Sequence, residues 1–176
     1  MSGRSIKPLA FTFGLLLLMG CSYLGIDMGK GPAQAQQAAD CLVRVWVDGK
    51  EAPCVEGWRE IKQPVDTDLK LKYEIPHPEK MGDVKSVMIN IFPDFNGQPS
   101  GQADFIVFAT DTNNPDAQMK AGKLYDLSKK IEELTYMDEN SKRVDGIKLK
   151  PGTKYYMNFV VSADRSETAS VVFTTK

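Results

Sequence analysis

Few of the side chains that could carry chemistry have the company they would need. His77 is the only histidine in the 176-residue chain, and it sits between Pro76 and Pro78. A Ser-His-Asp triad or a His-based metal centre built around it has no partners at a legible spacing. His77 therefore reads as a solvated loop residue. Asp111-Thr112-Asn113-Asn114-Pro115-Asp116 offers oxygen ligands of the kind calcium takes. It lacks the spacing and closing Glu of an EF-hand loop, and reads as a turn. Trp46 and Trp58 present rings that can stack on sugars. Trp46, flanked by valines in a strand, reads as core. Trp58, in Glu56-Gly57-Trp58-Arg59-Glu60, is the candidate aromatic platform. No nucleophile–base pair or metal set can be assembled, so the chain reads as non-catalytic, with no cofactor.

The cysteines say more. Residues 1–7 carry Arg4 and Lys7 and no acid, an apolar run follows from Leu9 to Met19, and Gly20-Cys21 closes it. Charged start, short apolar stretch and small residue make a secretory signal over residues 1–20. The apolar run is about half the roughly 20 residues a membrane-spanning helix needs. Leu18-Met19-Gly20-Cys21 resembles the lipobox of bacterial lipoproteins. The resemblance implies cleavage before Cys21 and acylation of that residue, with enough acyl chains to hold the protein stably on a membrane. Ser22 in the following position favours the outer membrane in a host that has one.

Cys41 and Cys54 remain as an even pair in an oxidising compartment, where a disulfide is the default. The alternative is two buried free thiols. They flank Leu42–Val47 and Glu51-Ala52-Pro53 with Asp48-Gly49 between, which reads as a disulfide-closed hairpin extension over 41–64. Such a loop stabilises by roughly 3 kcal/mol in the chain-entropy view. Loss of residues 1–20 leaves 20 Lys and Arg against 23 Asp and Glu, a net charge of −3. A weakly acidic chain has no electrostatic footprint for nucleic acid.

Positioning elements follow from periodicity. Residues 21–40 are rich in Gly, Ala and Gln and read as a flexible tether spanning about 20–25 Å. Leu69, Leu71, Tyr73 and Ile75 alternate with charges, which predicts a strand with one buried and one wet face. Further strands are expected at 84–92, 103–110, 144–149, 155–163 and 168–175. Between them, Leu127, Ile131 and Leu134 recur at helical spacing behind Asp126, a good N-cap, predicting a short helix at 126–135.

Leu149-Lys150-Pro151-Gly152-Thr153-Lys154-Tyr155 resembles the corner between strands E and F of fibronectin type III domains. The physical content is a tyrosine corner, in which the Tyr155 hydroxyl bonds to upstream backbone. The resemblance covers about 65–176 and implies an all-β, immunoglobulin-like sandwich. The hairpin would then be an N-terminal extension, and the helix an insert between strands C′ and E. Tyr73 stands where the family often has Trp. No Arg-Gly-Asp tripeptide occurs, so integrin-type adhesion is not implied.

In that arrangement strands C, C′, F and G share a sheet. Val87, Ile89, Ile91, Met157, Phe159 and Val161 face the core, which turns Met88, Phe92, Tyr156 and Val160 outward. Strand C′ is apolar on both sides, with Phe105 and Val107 on one and Ile106 and Phe108 on the other. So large an apolar face calls for a cover. Either the hairpin or the helix supplies it, toward which this reading leans, or a partner does. The expected function is a non-catalytic, lipid-anchored module that binds an envelope or extracellular protein or assists envelope assembly. The alternative is a carbohydrate-binding accessory lipoprotein using Trp58.

Overall fold

The computed structural model describes residues 41–176. The secretory signal, Cys21 and the tether of the sequence reading lie outside the described residues.

Period-two alternation decides the architecture. The strands are β1 Arg44–Val47, β2 Lys50–Glu51, β3 Trp58–Glu60, β4 Lys70–Glu74, β5 Ser86–Phe95, β6 Gln98–Pro99, β7 Phe105–Ala109, β8 Leu124–Asp126, β9 Leu134–Asp138, β10 Arg143–Val144, β11 Lys154–Ser162 and β12 Glu167–Thr174. The smaller sheet runs β2-β1-β4-β8, and the larger β10-β9-β7-β5-β11-β12-β3, with β6 paired to β5. Each strand has one face fit for a core and one for another environment, so two sheets stacked face to face satisfy both. Val45, Val47, Leu71 and Tyr73 from the smaller sheet meet Ile89, Ile91, Met157, Phe159 and Val171 from the larger, all fully or almost fully buried. The fold is an all-β sandwich.

Hairpin 41–55 forms as expected. Its turn, Asp48-Gly49, has both residues at positive φ (49° and 71°), the conformation that matches strand twist in a two-residue hairpin loop. It is not an appendage, however. β1 pairs antiparallel with β4, whereas β3 pairs parallel with β12 in the opposite sheet. The first strand of the sandwich is therefore split between the sheets. Cys41 and Cys54 are bonded, with Cα atoms 5.8 Å apart, at the point where the chain changes sheets.

Segment 126–135 is not a helix. Asp126 does accept from the Ser128 amide (3.3 Å) and hydroxyl (2.5 Å), but the structure so capped is a single turn. The Leu127 carbonyl then accepts from the Ile147 amide at 2.7 Å, which removes it from any helical ladder. Leu127 and Leu134 are buried in the core and Ile131 packs at its edge. A run this short cannot sustain a helix against such tertiary contacts. Among the described residues the one short α-helix lies instead at Pro78–Met81, with proline at its start.

The tyrosine corner is present. The Tyr155 hydroxyl accepts from the Lys150 amide at 3.0 Å, beside Gly152 at φ 64°. A second such corner precedes β8: the Tyr125 hydroxyl accepts from the Lys120 amide at 2.6 Å, beside Gly122 at φ 79°. Tyr73, fully buried in β4, donates to the Met119 carbonyl at 2.7 Å and secures the same loop.

Candidate binding face

Register fixes what stands on the outer face of the larger sheet. One row across the strands reads Thr135, Phe108, Met88, Val160 and Thr168. The next reads Met137, Ile106, Asn90, Asn158, Ser170 and Trp58. A third contains Phe92, Tyr156, Val172 and Glu60. The first row holds no charged residue, and the second holds one, Arg143, which pairs with Met137 at the β10 edge. Met88 and Trp58 are each 40% exposed, while Phe92, Val160, Ile106 and Phe108 are half-buried. Hydrophobic residues of β5, β7 and β11 stand outward because the alternate positions already fill the core. Runs apolar on both faces leave no other outcome.

Neither of the expected covers lies over this face. The hairpin belongs to the smaller sheet, and segment 126–135 sends its leucines into the core. Among the described residues, three features meet Tyr156 at one end. The Trp58 ring meets Tyr156 edge-on, with centroids 4.9 Å apart and planes at 77°. The hairpin between β5 and β6, turning at Asn96-Gly97, places the Gly97 carbonyl 2.6 Å and Asp94 Oδ1 3.1 Å from the Tyr156 hydroxyl. Lys154 Nζ lies 5.2 Å from the centroid of the same ring. Hydrogen bonding to Tyr156, and then the Asp94 charge, hold the Lys154 ammonium above its ordinary pKa.

Tyr156 thus points outward yet is only 4% exposed, and it supports the face instead of presenting it. Met88, Phe92 and Val160 stay on its surface. Trp58 joins them, so the two sites separated in the sequence reading are neighbours. No family model and no curated protein matches the chain. The face must be read from its own chemistry.

The other candidates resolve quickly. Trp46 is not core. With Val45 and Val47 inward it stands on the outer face of the smaller sheet, its ring engaged by Arg44 at 4.9 Å and Lys72 at 4.8 Å. In the 111–116 segment, Asp111 Oδ1 accepts from the Asn113 amide and Asn114 Oδ1 from the Asp116 amide, both at 2.9 Å. Those oxygens close turns. His77 Nδ1 lies 3.3 Å from Glu79 Oε1. Among the described residues no cluster of His, Cys, Asp or Glu is arranged to hold a metal, and no helix is long and apolar enough to cross a membrane. One residue the sequence reading passed over is Arg59, buried on β3 between exposed Trp58 and Glu60.

Proposed function

We propose that this chain is a non-catalytic binding module of the fibronectin type III kind. In this reading lipid on Cys21 holds it at an outer membrane, and the outer face of its larger sheet engages another envelope protein. The observation that carries the reading is two adjacent rows with no cover among the described residues, charged only at Arg143 on the β10 edge, in which Met88 is 40% exposed. Centres of protein interfaces are depleted in charge and enriched in Met and aromatic residues, and a monomer seldom leaves so large an apolar area open.

A photo-crosslinker placed at Thr168, exposed and in the same row as Met88, should yield one defined protein adduct in living cells. Met88→Asp should remove that adduct and leave the melting temperature close to wild type, because the side chain stands 40% exposed on the outer face, outside the buried core cluster. An unchanged adduct from the Met88→Asp protein defeats the docking reading. One observation favours the carbohydrate alternative: Trp58 ends a cross-strand row of Ser170, Asn158 and Asn90, whose hydroxyl and amides suit sugar hydroxyls. Glycan binding lost on Trp58→Ala and kept on Met88→Asp would select it.

A further inference from the structure

Arg59 is the most buried charged residue among the described ones, at 6% exposure. Its Nη1 donates to the Val43 carbonyl at 2.7 Å, which links β3 to the segment leading into β1 across the sandwich. A guanidinium has five N–H donors in a fixed fork. This one makes a single hydrogen bond to a neutral acceptor and no ion pair among the described residues. Buried charge is ordinarily paired, because removal from water costs several kcal/mol per ion unless hydrogen bonds and counter-charge replace the lost solvent. Burial accordingly lowers the Arg59 pKa, with Glu167 acting in the opposite direction.

The guanidinium borders a cleft of about 210 Å³ at the end of the sandwich where the chain enters through Cys41. Cys41, Gly57 and Thr168 form its walls, and Glu56 and Glu167 supply two carboxylates. Glu167 influences Arg59 through charge, but the two make no direct ion pair. The cleft is thus lined by both a cation with unused donors and an anion that does not pair with it. A bare anion would suit Arg59 and be repelled by the carboxylates; a bare cation would meet the reverse. A ligand carrying both charges satisfies both walls. The volume equals that of on the order of seven liquid waters, room for a compound the size of an amino acid or a dipeptide.

We propose that this cleft binds a small zwitterion, an amino acid or dipeptide, its carboxylate on the Arg59 fork and its ammonium on Glu167. Planar bidentate recognition of carboxylate is what a guanidinium does best. The site is separate from the sheet face. Arg59 points inward from the strand on which Trp58 points outward, so either proposal can fail without the other.

The test uses the whole chain as expressed, solubilised in detergent, titrated calorimetrically with alanine, alanylalanine, N-acetylalanine and alaninamide. Saturable binding of alanine or alanylalanine is expected, and whichever binds more tightly identifies the free amino acid or the peptide as the source. Blocking either charge should weaken binding by roughly tenfold or more, as loss of a charge-assisted contact does. Arg59→Met, similar in length and apolar, should abolish binding. Glu167→Gln, at the rim and safe for folding, should remove the preference for alanine over N-acetylalanine. Absence of saturable binding by both zwitterions overturns the proposal. So does equal binding of alanine and N-acetylalanine by the wild type, or an unchanged preference in Glu167→Gln should Arg59→Met fail to fold.

Discussion

Tyrosine hydroxyls carry unusual weight in this core. Tyr155 and Tyr125 each accept a backbone amide from five residues upstream, and Tyr73 donates to the carbonyl at 119. Deleting a hydroxyl that satisfies a part-buried amide leaves that amide without its protein partner, at a cost of about 1–3 kcal/mol. Tyr155→Phe and Tyr125→Phe should therefore each lower the unfolding free energy by that much, seen as a lower urea midpoint with unchanged slope. A wild-type midpoint for Tyr125→Phe would show that its loop amide finds water instead. Tyr155 was legible because Pro151-Gly152 marks the turn before it. Tyr125 follows the same Lys-x-Gly-x-x-Tyr spacing, Lys120 to Tyr125, but with Ala121 in place of proline the segment does not announce a corner. Tyr156 shows a different limit. Alternation gave its direction, outward, and could not give its burial. That depends on Trp58 and on the Asp94–Gly97 turn, both distant in sequence.

Among the edge strands, β3 is the one that lies next to the disulfide. It has three residues, pairs on one side only, and follows the crossing between sheets that the bridge closes. Replacing Cys41 and Cys54 by serine should cost about 2–4 kcal/mol. Hydrogen exchange should show the loss first at the Arg59–Ile61 amides, while β5 and β11 in the centre of the sheet keep their protection. Uniform deprotection would mean the bridge supports the entire sandwich. The strands β4, β5, β7, β11 and β12 were legible because period two and a buried face coincide in them. The expected helix at 126–135 failed for a specific reason. Leu127, Ile131 and Leu134 satisfy helical spacing, but three residues are also what a turn between two strands supplies when both strand ends face the core. Asp126 caps one turn in either case. What decides is the Ile147 amide meeting the Leu127 carbonyl, a pairing across twenty residues that no local pattern encodes.

For the molecule as a whole, strand directions place the chain's entry and its free surfaces. β11 and β12 pair Val161 with Glu167 at one end and Lys154 with Thr174 at the other. Cys41 lies at the first end, beside Glu167 and Thr168. The Asn96-Gly97 turn lies at the second, where Tyr155 pairs with Pro93, together with Phe95 at 62% exposure. Cys41, the first described residue, therefore lies at the end opposite Phe95. That geometry is useful only if the anchor exists, so the anchor is the first thing to test. Cys21→Ser should abolish palmitate incorporation and move the protein from the membrane fraction to the soluble or precursor pool. An epitope inserted at Gly97, remote from the entry point, should stay accessible in both forms. Palmitate incorporation unchanged by Cys21→Ser would remove the membrane from the proposal. The sheet face would then have to find its partner by diffusion, without the high local concentration that tethering to a shared surface supplies.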